Sequence, residues 1–292
     1  QKVRVSAIGE GTEVKCSKVR NAQVFEYDGT DGETSEFEKL VYIFASVESV
    51  GDPFNKLKEA VKGSICYEKE FLAHRKAWSE KWNTSDIEID GSLEDQTTLR
   101  YNLFQLIQAC PEHDASISIG ARGLTGEMYE GCIFWDTEIF MLPFFTYTNP
   151  QAAGKLLDFR YRTLPEARLH AVSNWFKGAM YGWQVSEKGI EQTPPGVGAY
   201  YSIHVIADIA YAILEYWYVT QDRDFMLDKG VEILIETARF WESRVHRNPF
   251  SGKYDILAVR GPNEYDVIVN NNLYTNMMAQ QNFLLVMEII EL

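Results

Sequence analysis

HVIADIAYAILEYWYVT, residues 204–220, repeats its apolar side chains at the spacing of a helix, not of a strand. The same period runs through LEDQTTLRYNLFQLIQAC (93–110), NPQAAGKLLDFRYRTLPEARLHA (149–171), DRDFMLDKGVEILIETARFWESRV (222–245) and NNLYTNMMAQQNFLLVMEIIEL (271–292). DFMLDKG and NPF supply stops and starts between these stretches. Five or six helices after residue 92, with no strands to cover, are expected to pack on one another and not as layers on a sheet.

Ahead of them the chain changes character twice. From Val3 to about Val50 the runs VRVSAIGE, EVKCSKV, AQVFEYD and KLVYIFASVES read as antiparallel sheet between Gly, Asp and Thr turns. After Asp52-Pro53, KLKEAVKGSICYEKEFLAHRKAWSEKW has helical spacing among many charges and reads as one or two linker helices. The expected division is therefore 1–52 β, 53–91 helical linker and 92–292 helical domain, mixed but mainly α.

The terminal FLLVMEIIEL stays apolar without a cap, a Gly stop or a polar tail, and the chain starts without Met. The expectation is a piece of a longer chain, inactive and poorly soluble by itself, because unpartnered helices would expose an apolar edge.

Composition narrows the function. Against 42 Asp and Glu stand 28 Lys and Arg, a formal charge of −14 that disfavours a nucleic-acid surface and suits a neutral ligand. Cys16, Cys66, Cys110 and Cys132 lack CxxC or Cys/His spacing, so neither a zinc site nor a disulfide framework is expected, and reduced thiols in the cytoplasm are. No apolar run reaches the ~20 residues of a membrane span. GxGxxG, Walker-type and GxSxG motifs are absent, so no organic cofactor and no metal are expected.

Segments 111–135, 179–200 and 248–270 are rich in Gly, Pro and Tyr and are the places for a site carried on loops above a helical frame. In GPNEYD (261–266) Glu264 stands between Asn263 and Tyr265, groups able to hydrogen-bond and desolvate it, as a proton donor requires. Protonating a departing glycosidic oxygen is the chemistry that such a carboxyl serves. The plain alternative is an ordinary turn with a solvated Glu264. In FWDTE (134–138), Trp135 offers a flat face to sugar C–H groups and Asp136 an acceptor for hydroxyls. Alternatively, Asp136 or Thr137 caps the apolar run that follows, with Glu138 near the positive end of the dipole. Arg122, Glu127 and Tyr129 in one Gly-rich loop, and Trp183 with Gln184 in another, are weaker candidates. His204 reads by default as a core histidine, with a substrate role as the alternative.

Taken together, Trp78, Trp82 and SDIEIDG (85–91), RYNLFQLIQ (100–108), ARGLTGEMYEGCIFWDTEIFMLPFF (121–145), GAMYGW (178–183), IHVIADIAYAI (203–213) and GPNEYDVIVNNNLYTN (261–276) resemble glycoside hydrolase family 65. This is the group of maltose, kojibiose, trehalose and nigerose phosphorylases. The resemblance implies an N-terminal β-sandwich, a helical linker and an (α/α)6 barrel present only in part. It implies inverting, metal-free phosphorolysis of an α-linked diglucoside to β-glucose 1-phosphate, with inorganic phosphate as co-substrate and a homodimer as the assembly. By similarity Glu264 is the general acid and Trp135 and Asp136 hold the transferred glucosyl unit; Arg122, Trp183 and Gln184 follow from loop position. Two departures, Gly131-Cys132 where a Gly-His pair is frequent and Asn263 where Asp is usual, bear on the acceptor. A Lys-Gln pair and the phosphate-binding groups of the family are expected beyond Leu292. Two alternatives stay open: a trehalase-like hydrolase, whose second carboxylate lies ~6.5–9.5 Å from the acid, and a non-catalytic carbohydrate-binding relative.

Overall fold

The computed structural model describes residues 2–5, 25–28, 32, 34, 41–43, 52–62, 66–126, 128–195, 198–266 and 268–290. Two compact units divide the chain, Gln1–Ala73 and His74–Leu292. In the first, β1 (Lys2–Val5) pairs antiparallel with β2 (Phe25–Asp28), Val3 opposite Tyr27. The other β-like runs of residues 3–50 lie outside the described residues, apart from short stretches. α1 (Pro53–Lys62) and the start of α2 (Tyr67–Ser85) follow.

The second unit is mainly helical, as its apolar period predicts. It contains α3 (Leu93–Ala109), α4 (Leu142–Thr148), α5 (Pro150–Arg162), α6 (Leu164–Ser173), α7 (Val205–Thr220), α8 (Arg223–Phe225), α9 (Val231–Arg244) and α10 (Leu273–Ile290). The pair β3 (His246–Arg247) and β4 (Tyr254–Asp255) is a two-residue antiparallel ribbon. Local chemistry sets the helix starts. Ser92 and Asp95 form a capping box on α3, satisfying two otherwise orphaned N–H groups. The Asn149 side chain accepts from Ala152 N at 3.1 Å while Pro150 supplies the first turn of α5. The single stretch expected over 149–171 is two helices, because Pro165 has no N–H to continue α5 and Thr163 becomes the junction. Likewise 222–245 is broken by a π turn at Met226–Gly230.

α7 is the frame. It packs against α4, α5, α9 and α10, which explains why it is apolar on nearly every side. Ile206, Ile209 and Ile213 of α7 meet Leu156 and Leu157 of α5, Phe240 and Trp241 of α9 and Leu285 of α10 in one core. Each such side chain, fully buried, contributes roughly 1.5–3 kcal/mol. Of three isolated bridges, Ile133 with Val185 ties the first intervening loop to the second, while Val185 with Glu191 and Val259 with Val269 each close a loop on itself. Among the described residues no helix is long and apolar enough to cross a membrane, and Cys66, Cys110 and Cys132 are free thiols.

Candidate active site

The loops 111–135, 179–200 and 248–270 meet at a cavity of about 470 Å³. Its wall carries Tyr129, Cys132, Phe134, Trp183, Gln184, Arg260 and Glu264. The volume falls within the ~300–1,000 Å³ range of small-molecule sites. Three of the expected residues, Trp183, Gln184 and Glu264, are thus brought together although up to 81 positions separate them in sequence (264 less 183).

FWDTE is a layered element. Phe134 stands edge-on to Trp183, with centroids 5.9 Å apart and planes at 87°. Trp135 is the layer behind, 6.1 Å from Trp183 and inclined by 35° to it, and 4.7 Å from His204. Asp136 makes no cap hydrogen bond. Thr137 does not cap either; its hydroxyl donates to Ile119 O at 3.0 Å. Glu138 is held by Arg160, whose Nε and Nη2 each donate to it at 2.7 Å, with both side chains 98–99% buried. Arg160 Nη2 also donates to Phe134 O at 3.1 Å, so the guanidinium grips both ends of FWDTE from below. The expected helix cap is therefore absent: a π turn, Thr137–Met141, opens the apolar run, and the Glu138 charge is spent on a buried fork instead of on a helix dipole.

Asp136 is half-buried. Burial pushes its carboxyl above the usual range, a backbone hydrogen bond pulls it back, and the nearby charges of Glu138 and Glu264 push it further up. A carboxyl raised in the folded state binds its proton more tightly there than in the unfolded chain, so ionising it costs stability. That cost sets in as pH rises through the unfolded value of about 3.9 and is complete above the folded value. Asp136→Asn is accordingly expected to gain in stability relative to the parent from about pH 4 upward and then to level off. Urea midpoints at successive pH values measure this; a relative stability that falls with rising pH contradicts it.

The second wall is pinned by a residue that sequence reading missed. Glu191 accepts from Trp183 N at 2.9 Å, Thr193 N at 2.9 Å, Thr193 Oγ1 at 2.6 Å and Gln184 N at 3.4 Å. Gly182 is needed beside it, since a Cβ there would lie 2.6 Å from Glu191 Oε2. Tyr129 and Glu130 occupy left-handed backbone conformations, φ 63° and 53°, at the cavity rim. Strain of that kind in non-glycine residues gathers at functional sites. Arg122 is exposed and stands off the cavity wall, its guanidinium 5.6 Å from the Tyr129 ring centroid. Glu127 lies outside the described residues.

GPNEYD carries a further correction. Asn263 and Tyr265 do not desolvate Glu264: Asn263 donates to Asp266 Oδ2 at 2.9 Å, and Tyr265 is 96% exposed. The partner of Glu264 is Arg260, Nη2 to Oε2 at 3.1 Å, with the arginine side chain 8% exposed and the carboxylate side chain 63%. Neighbours in sequence can point away from a side chain, and here an i+4 relation outside any helix supplies the contact. Gly261 has a defined purpose, because a Cβ there would stand 2.4 Å from Asn272 Nδ2, and the Asn272 side chain accepts from Thr275 N at the start of α10.

A larger cavity, about 620 Å³, lies between α5, the end of α7 and α8. Two of its polar pairs are closed, Lys229 with Asp158 at 2.8 Å and Tyr216 with Asp222 at 2.6 Å, and no loop candidate reaches it. Size is the weaker criterion here; the smaller cavity holds the convergent polar groups.

Comparison with known proteins identifies relatives of the chain. A kojibiose phosphorylase of Halothermothrix orenii is 43% identical over 280 residues, 87% of this chain and 36% of its own length. An α,α-trehalose phosphorylase of Geobacillus stearothermophilus is 46% identical over 204 residues, covering 69% of this chain and 26% of its own. A nigerose phosphorylase of Lachnoclostridium phytofermentans is 32% identical across 96% of this chain and 40% of its own. A human-microbiome protein of solved structure matches with a TM-score of 0.76 at 38% identity, over 82% of this chain and 31% of that one. The chain thus spans well under half the length of these relatives. Residues 100–292 match the sequence model of the glycosyl hydrolase family 65 central catalytic domain, and those residues hold the whole cavity wall: the chain belongs to glycosyl hydrolase family 65.

Proposed function

We propose that the protein of which this chain forms part cleaves an α-linked glucosyl disaccharide with inorganic phosphate, inverting the anomeric centre. The observation that carries this reading is the sharing of one sugar-sized cavity by the Glu264 carboxyl and the Trp183 indole, with Trp135 and Asp136 packed behind. The relatives named above, phosphorylases of kojibiose, trehalose and nigerose, support the choice of phosphate over water.

In this scheme a glucosyl unit seats against Trp183, which Trp135 backs, and Gln184 accepts from and donates to its hydroxyls; Trp135 and Asp136, off the cavity wall, act through that indole unless the sugar opens a way to them. Glu264 gives its proton to the glycosidic oxygen, phosphate attacks the anomeric carbon from the opposite face, and the C–O bond to the acceptor breaks. The products are β-glucose 1-phosphate and the free acceptor sugar. No metal or organic cofactor takes part. Arg122 acts at one remove, bracing Tyr129.

With this reading go the finer architecture, a β-sandwich over 1–52, a linker over 53–91 and part of an (α/α)6 barrel over 92–292, as well as a homodimer in the cytoplasm.

The test is turnover by the full-length protein of kojibiose, nigerose, trehalose and maltose, with and without phosphate. Glucose 1-phosphate formed only when phosphate is present is the expected result. Release of free glucose at a rate that ignores phosphate identifies a hydrolase and overturns the proposal.

A further inference from the structure

His204 is fully buried at the start of α7, and its Nδ1 lies 2.6 Å from Asp208 Oδ2, one turn along the same helix. The other carboxylate oxygen, Oδ1, accepts from the Tyr274 hydroxyl at 2.8 Å, which joins α7 to α10. Both oxygens of Asp208 are therefore engaged, the carboxylate has no free rotation, and the imidazole it holds has one orientation. His204 Nε2 is buried and has no hydrogen-bond partner among the described residues. What surrounds the ring is aromatic: Trp135 at 4.7 Å and 75°, Trp183 at 5.5 Å and 74°, and Tyr274 at 5.5 Å and 84°.

Stability is a poor reason for such an arrangement. Replacing both members of a buried hydrogen-bonded pair by apolar groups of similar shape is often neutral or stabilising, so a leucine cluster would fill the space at least as well. An apolar side chain, however, imposes no fixed plane on its neighbours. An imidazole locked by a hydrogen bond and standing perpendicular to two indoles does, because edge-to-face contact between aromatic rings is directional.

We propose that His204, Asp208 and Tyr274 form a buried positioning device that sets the tilt of the Trp135–Trp183 pair, and through it the fit of the transferred sugar ring. This rests on the sugar-binding reading of that pair. All three are positioning residues, since none of them lines the cavity.

The test uses Tyr274→Phe, which keeps the ring and removes one hydrogen bond from Asp208, with the exposed Tyr218→Phe as control, because Tyr218 loses only its bond to Glu288 at 3.0 Å. Full-length protein is labelled with 5-fluorotryptophan, and the Trp135 and Trp183 signals are assigned by substitution among the seven tryptophans of this chain and any beyond it. Tyr274→Phe is expected to shift or broaden those two signals and to leave the others in place, at unchanged far-ultraviolet circular dichroism. It is also expected to raise KM for the disaccharide about fivefold, with kcat within about twofold, the scale of one hydrogen bond. Unmoved indole signals overturn the proposal, as do moved signals with KM unchanged in an active enzyme. Asp208→Asn, isosteric and read in the same way, decides the matter if Tyr274→Phe does not fold. Parent protein that forms no glucose 1-phosphate sinks the phosphorylase reading alone, because the fluorine signals report the indole tilt without turnover.

Discussion

Glu264→Gln is expected to lower disaccharide phosphorolysis by about 10²–10⁴-fold, the range supplied by a positioned proton donor. The amide keeps the volume of the side chain and cannot deliver a proton to the glycosidic oxygen. The Glu264 side chain is 63% exposed, so the substitution removes little packing, but the Arg260 side chain is only 8% exposed and loses its charged partner among the described residues, so a stability loss of about 1–3 kcal/mol is expected. Steady-state kinetics and a urea midpoint on the same preparation measure both quantities. A variant that retains most of its turnover, or one that fails because it no longer folds, contradicts the role.

The second large effect is on stability. Arg160→Met is expected to destabilise the protein by about 3–5 kcal/mol, since it leaves Glu138 as a buried charge without its fork and frees the Phe134 carbonyl. The double variant Arg160→Met, Glu138→Leu is expected to recover most of that loss, because two apolar side chains replace the pair without an uncompensated charge. Chemical denaturation of the three proteins checks this. A single variant as stable as the parent would show that the pair contributes nothing to holding FWDTE. Activity separates the two consequences: the double variant restores the fold without the bond to Phe134 O, so Trp135 and Asp136 lose their brace.

The helices were legible because the apolar period reports which face each one buries, and α7, packed on four partners, carries the strongest such signal. Their breaks were less so. The junction at Thr163 needed Pro165 to be weighed as a stop inside a periodic run, and the π turn at Thr137–Met141 leaves no mark on apolar spacing. In the site, loop composition singled out Trp183, Gln184 and Glu264, which share the cavity. What sequence did not show is the pairing: Glu138 with Arg160 lies 22 positions apart, and the link from Tyr274 to Asp208 spans 66. Such contacts depend on how helices meet, which no local pattern encodes. Glu191 was missed for a related reason, since a carboxylate that accepts from backbone N–H groups looks in sequence like any solvated loop residue. Conversely, the flanking Asn263 and Tyr265 misled, because adjacency in a turn says nothing about which side chains converge.

The claim on which the account turns is that Glu264 delivers the proton to the departing oxygen. α-Glucosyl fluoride tests it most directly, because fluoride leaves without protonation. Measured side by side in Glu264→Gln with phosphate present, fluoride release should stay within about tenfold of the parent while disaccharide cleavage falls by the 10²–10⁴ expected for a lost acid. Loss of both reactions to the same extent, or retention of both, would contradict it.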